Sequence, residues 1–220
     1  MLAAIDIAGK TITADALLTQ RALARYLVED RKADYHFTVK GNQPRLLEDI
    51  RLCFKDRGEP AATSTDSGHG RIEIRKIWTS TDLNDYLDFP CLGQIFMIER
   101  ETIKKKTGKI SCEIVYGVTS QTPDQADADK VLGINRGHWC IENSCHYIID
   151  WNYDEDRSRI RTGHGPENVS RLRRFAVGLL KSKGVKNVAQ KMRRLVMNVR
   201  AVLDYLRMTN NTRALSCAAR

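Results

Sequence analysis

A carboxylate at the end of a strand, a His-Glu-His row and a run of arginines are the side chains of this chain best suited to chemistry. Asp15 stands where the alternating, Thr- and Ile-rich run 10–14 gives way to a helical pattern. It therefore falls at the carboxyl end of an expected strand, the edge where ligands bind in open α/β sheets. The same position suits a helix cap, and both readings stand at this point. Glu142 lies within the segment 136–150 (RGHWCIENSCHYIID). On a helix His138, Glu142 and His146 fall at i, i+4 and i+8 and form one polar row beside Ile134, Ile141, Cys145 and Ile148. A carboxylate between two imidazoles, next to Trp139, could be a reactive site, a hydrogen-bonded row packed on the following loop, or a zinc-hydrolase site. The spacing is not His-Glu-x-x-His, which weighs against zinc. In the charge-dense connector 154–168, Arg157, Arg159 and Arg161 could reach phosphates or hold their own acids in surface ion pairs.

These residues need a frame. The run 10–14 predicts a strand, residues 15–30 a helix with Asp15 as its N-cap, 34–40 a second strand stopped by Gly41-Asn42, and 44–55 a second helix. Strand–helix–strand–helix over 10–55 is a βαβ-type crossover on parallel strands. Residues 56–70 read as loop by composition. Three β-rich stretches follow, 71–79, 93–102 and 109–119, the last two flanking the basic hairpin tip Lys-Lys-Lys-Thr-Gly-Lys. They predict an antiparallel sheet inserted in, or extending, the first unit. Helices are expected near 124–151, 166–182 and 185–208, with Pro166 in the first turn of the second and Gly184 dividing the last two.

Length and charge narrow the partners. A chain of 220 residues can bury one good core, or one core plus a modest subdomain. No apolar run approaches the ~20 residues that span a bilayer, and the first residues lack the basic stretch of a signal peptide. Six cysteines without a Cys-x-x-Cys pair argue against a zinc ribbon or a disulfide framework and fit a reducing cytosol. The positive charge is local: residues 157–220 carry 16 Lys and Arg against two acids, residues 1–156 carry 20 against 25. A block of that sign attracts a polyanion, most commonly nucleic acid.

Read together, the landmarks resemble the DDE transposases of bacterial insertion sequences, in the H-repeat-associated branch. They are Ile12-Thr-Ala-Asp15-Ala, Ala33-Asp-Tyr-His-Phe-Thr-Val-Lys-Gly-Asn-Gln43, His69-Gly-Arg-Ile-Glu73, His138-Trp-Cys-Ile-Glu-Asn143, Asp154-Glu-Asp156, Ser158-Arg-Ile-Arg161 and Pro166-Glu-Asn168. The resemblance implies an α/β fold: a partial ribonuclease-H-like core, a mixed sheet with helices, interrupted by a β-rich insertion and followed by C-terminal helices. Its divisions would be 1–55 for the first part of the core, 56–122 for the insertion, 123–208 for the helical remainder and 209–220 for a disordered tail. It implies that Asp15 is the second Asp of a catalytic triad and Glu142 the triad Glu. These two would hold magnesium or manganese, two ions in a complete homologue. Double-stranded DNA at transposon ends would be the partner, met by Arg136, His138, Arg157, Arg159, Arg161, Arg171, Arg173 and Arg174. A homodimer is compatible with this; a membrane and a small-molecule cofactor are not expected. The place of action would be the bacterial cytoplasm, at the nucleoid when bound to DNA.

Two departures accompany the resemblance. The first Asp of the triad belongs on a strand upstream of Met1, and Asp6 is too close to Asp15 to replace it. The implied reading is a truncated copy that does not cleave or join DNA alone; a non-catalytic DNA-binding module using the basic C-terminal helices is the rival. The Tyr, Arg and Lys that the wider superfamily sets around the Glu are here Asn135, His138 and Ile149, with Arg136 close by.

Overall fold

The computed structural model describes residues 5–139, 146–206 and 208. The chain forms two compact units, Met1–Trp139 and Cys140–Arg220.

In the first unit, β1 (Thr11–Ala14) leads through a 3-10 turn (Ala16–Leu18) into α1 (Arg21–Arg25), which continues as a π-helical turn (Tyr26–Asp30). β2 (Asp34–Val39) returns parallel to β1, pairing Thr11 with Asp34 and Ala14 with Phe37. The expected crossover is therefore present, but Asp15 caps the 3-10 turn, and the α-helix starts only at Arg21. α2 (Pro44–Cys53) follows, with Pro44 in its first turn, where a missing N–H costs nothing.

The chain then runs β3 (Ala62–Gly68), β4 (Arg71–Ser80), β5 (Gln94–Lys104) and β6 (Ile110–Thr119), each antiparallel to the next. β6 pairs antiparallel with β2, so one mixed sheet of six strands results, ordered β1-β2-β6-β5-β4-β3. The β-rich stretch thus joins the sheet of the first two strands. β3 corrects the expectation of a loop over 56–70. Its small polar residues look like loop, but pairing with β4, from Ala62 opposite Ile77 to Gly68 opposite Arg71, imposes the extended form.

Period-two alternation gives the sheet two apolar faces. Tyr35, Phe37, Val39, Ile95, Met97 and Val118 pack with Ala24, Leu27, Ile50 and Phe54 from the first two helices. On the other face Ile77, Phe96 and Ile98 meet Val131 and Leu132 of α3 (Ala128–His138). Asp127 caps α3 by accepting from Lys130 N at 2.9 Å.

The second unit contains a π-helical turn (Ile148–Asn152), α4 (Gly165–Ser182), α5 (Val188–Val196) and α6 (Val199–Tyr205) around Ile148, Ile149, Val177, Leu180 and Val188. The expected single helix over 185–208 is broken after Met197, because Asn198 leaves helical geometry and caps α6 through Ala201 N. Residues 140–145 of the helix expected near 124–151, Glu142 among them, and the expected tail 209–220 lie outside the described residues. Among the described residues no helix is long and apolar enough to cross a membrane.

Candidate active-site edge

At the carboxyl ends of β1 and β2 a polar group forms around Asp15. Asp15 is exposed, and its Oδ1 accepts from Ala16 N at 2.7 Å and from Lys40 Nζ at 3.3 Å. The Ala16 N–H does most to hold this carboxyl below its ordinary value of 3.8; slight burial opposes it, and Lys40 and His138 lower it further. The side chain is thus a carboxylate at neutral pH. Both partners of the Lys40–Asp15 pair are more than half exposed, so the pair itself adds little to stability.

The segment bearing Asp15 is braced by the turn that follows β2. Asn42 Nδ2 donates to Ala16 O at 2.6 Å, and Gln43 Nε2 donates to Thr19 O at 3.0 Å. Thr19 is fully buried, and its hydroxyl donates to Thr38 O at 2.7 Å. The run Lys40-Gly-Asn-Gln43 therefore has a structural role, since three of its side chains reach back to the 15–19 segment. We expect Thr19→Val, which keeps the shape but removes the donor, to cost about 1–3 kcal/mol in denaturant unfolding. Hydrogen exchange at residues 16–19 should quicken with it; unchanged exchange there would mean the brace is not what holds the segment.

The end of α3 closes over the same edge. His138 Nδ1 lies 3.0 Å from Thr13 Oγ1, and Asn135 Nδ2 lies 3.4 Å from His36 Nε2. His36 is buried and stacks on Phe96 with ring centroids 4.4 Å apart. Burial above all, then the nearby His138, pushes the His36 imidazole down to about 3, so the ring is neutral. Its Nε2 then accepts from Asn135, while Nδ1 has no hydrogen-bond partner among the described residues.

The structure thus brings Asp15 and His138 to one edge. Arg136, on the same helix, pairs with Asp66 of β3 at 2.9 Å. Glu142 lies outside the described residues. Among the described residues no group of three or more His, Cys, Asp or Glu is arranged to hold a metal ion. The donor that is described fits a hard divalent cation in kind: an exposed, ionised carboxylate whose Oδ2 takes no hydrogen bond from the described residues. In the second unit Arg157 pairs with Asp154 at 3.6 Å, Arg171 pairs with Glu167, and Arg159, Arg161 and Arg174 are exposed. Arg173 is the most enclosed of these, 3.9 Å from Glu155, whose other oxygen accepts from Ser170. Sequence reasoning passed over Lys40, His36 and Thr13 as site residues. The signal that could have found Lys40 was its place directly after the second strand, level with Asp15 after the first.

A mixed six-stranded α/β sheet with two parallel strands and a helix laid across their carboxyl edge is the architecture of a ribonuclease-H-like fold. Residues 1–176 match the family described as Transposase DDE domain, and the chain belongs to that family. It is 31% identical over 215 residues to "Putative transposase YncI" of Escherichia coli O157:H7, covering 90% of this chain and 53% of that protein. It is 30% identical over 215 residues to "H repeat-associated putative transposase YhhI" of Escherichia coli strain K12, covering 90% of this chain and 55% of that protein. The chain spans about half the length of these curated relatives.

Proposed function

We propose that this chain supplies part of the catalytic centre of an insertion-sequence DDE transposase, with Asp15 and Glu142 as the carboxylates that hold magnesium or manganese. The observation that carries this reading is Asp15 itself: an exposed, ionised carboxylate at the carboxyl edge of two parallel strands, in a chain that belongs to the DDE family. Held by these carboxylates, divalent ions would supply activation of a water or a 3′-hydroxyl and charge stabilisation at the leaving oxygen of an in-line displacement at phosphorus. The protein's own residues prepare the edge for that chemistry. The Ala16 N–H keeps Asp15 ionised, and Asn42, Gln43 and Thr19 hold its segment in place. Lys40 is a cation that can exchange Asp15 for a phosphate oxygen of entering DNA. His138, Arg136 and the arginines of the second unit supply further donors and positive charge for the backbone of double-stranded transposon ends. The work would be done in the bacterial cytoplasm, at the nucleoid.

The test is metal-dependent stabilisation, which reads the site directly. Magnesium or manganese at about a hundred times its Kd should stabilise the wild-type chain by about 2.7 kcal/mol, a rise of several degrees in Tm. Asp15→Asn keeps the oxygen that caps Ala16 N but loses the charge, and should abolish the rise, as should Glu142→Gln. A rise that survives both substitutions, or none in the wild type, would refute the assignment. The second reading, a DNA-binding module without catalysis, is favoured by the net charge of +14 over residues 157–220. It predicts no metal effect and a DNA affinity indifferent to both substitutions but steeply dependent on salt.

A further inference from the structure

Two hairpin tips lie side by side at one end of the sheet, and their charge is unbalanced. His69 and Gly70 link β3 to β4 in a two-residue turn, both with positive φ, 49° and 74°. That geometry matches the right-handed twist of the strands and favours glycine at the second position. Residues 105–109 link β5 to β6, with Gly108 at φ 64° and Lys104 N donating to Lys109 O. The tips are tied together: Arg71 faces Lys104 across the ladder, Lys105 N donates to Gly70 O, and Lys105 Nζ reaches Ser67 Oγ at 2.8 Å.

Lys104, Lys105, Lys106 and Lys109 are all exposed, and none pairs with a carboxylate among the described residues. The one arginine here, Arg71, is already paired with Glu73. No acid lies within 67–71 or 104–109. Four like charges without counterions on a structured tip repel one another, and a polyanion relieves that repulsion while releasing its own condensed cations.

Register shows which way the tips point. Ala14 faces Phe37, Phe37 faces Val118, and Val118 faces Ile95, so the level of Asp15's strand end crosses β5 at Ile95. β5 runs in the same direction as β1 and continues nine residues to Lys104, roughly 30 Å further at the rise of a strand. The tips therefore project beyond the same edge that carries Asp15 and Lys40. A rise of roughly 30 Å corresponds to about nine base pairs of B-form duplex, close to one helical turn.

We propose that this double hairpin tip is a second phosphate-backbone contact for double-stranded DNA, touching the duplex about one turn from the Asp15 edge. The proposal rests on the DNA-processing reading above but uses different residues from those that reading assigned. Lysine suits it: a flexible point charge that grips phosphate without reading bases, so the contact positions the duplex and specifies no sequence.

The test is the triple substitution Lys104→Ala, Lys106→Ala and Lys109→Ala in the full chain, which leaves Lys105 on Ser67 and both turn glycines intact. Binding to a 30-base-pair duplex of arbitrary sequence is followed by fluorescence anisotropy across a salt series. Affinity near 0.1 M salt should fall at least roughly tenfold, and the slope of log affinity against log salt should shrink by about 2–3. The triple Lys→Arg chain should bind like wild type. Unchanged affinity and slope in the alanine chain overturn the tip contact; if Arg171→Ala with Arg174→Ala then abolishes binding, the DNA reading survives without it. A loss shared by the arginine chain overturns the charge argument. No duplex binding by the wild-type chain overturns both.

Discussion

Gly117→Ala is expected to destabilise the first unit by about 3 kcal/mol or more, a large share of a domain's usual stability. Gly117 sits mid-strand in β6, between Thr38 of β2 and Phe96 of β5. A methyl group there would fall inside the Phe96 ring edge and 2.5 Å from the backbone oxygen of Phe37. The glycine is what lets the Phe96 ring lie across β6 and stack on His36 of the next strand. Relief would require the ring to swing away, but Phe96 is fully buried against Ile77, Ile98 and the α3 residues Val131 and Leu132. The disturbance should run on to the site, since His36 meets Asn135, three residues before His138. Denaturant unfolding would measure the loss, and near-ultraviolet dichroism would follow the aromatic packing. A midpoint within experimental error of wild type would mean that the sheet opens at β6 more easily than this packing allows. Gly133→Ala, on the same unit's α3 with open space at the new methyl, is the control and should be neutral or mildly stabilising.

How much was legible in advance follows physical lines. β2, β4, β5 and β6 carry alternating β-branched and aromatic residues, and α2 and α4 carry helical apolar spacing, so each of these was readable. β3 was not, because Ala-Thr-Ser-Thr-Asp-Ser-Gly becomes a strand only through a partner whose register no local pattern encodes. The start of α1 was misplaced because Asp15 is a good cap for any turn, and here the turn it caps is a 3-10 turn of three residues. At the site, Asp15 could be singled out from its place at a strand end, and His138 from its helix face. His36 was hidden by its own strand, where a histidine among Tyr35, Phe37 and Val39 reads as a break in an apolar run. Only the pleat, which turns it to the face opposite Tyr35 and Phe37, reveals that it lies under α3.

That burial has a consequence in acid. The His36 imidazole titrates at about 3 in the folded chain, against 6.5 for an unburied histidine. Between those two values the unfolded chain binds a proton that the folded chain refuses. The folded state therefore gains stability as pH rises through this window and loses it as pH falls from about 6.5 toward 3. Between pH 6 and pH 4 this single group should remove about 2.5 kcal/mol. His36→Phe keeps an aromatic ring for Phe96 to stack on and cannot be protonated; half-buried Asn135, which loses its acceptor, can turn to water. Carboxylates titrate in the same range, so the quantity to read is the difference between the two chains. The wild-type stability curve should fall more steeply than the variant's from pH 6 to pH 4, and the two should run parallel above pH 7. Parallel curves throughout would mean that water or a local opening reaches the ring. The polar group at this edge would then be far less shielded than the stack on Phe96 and the α3 cover require.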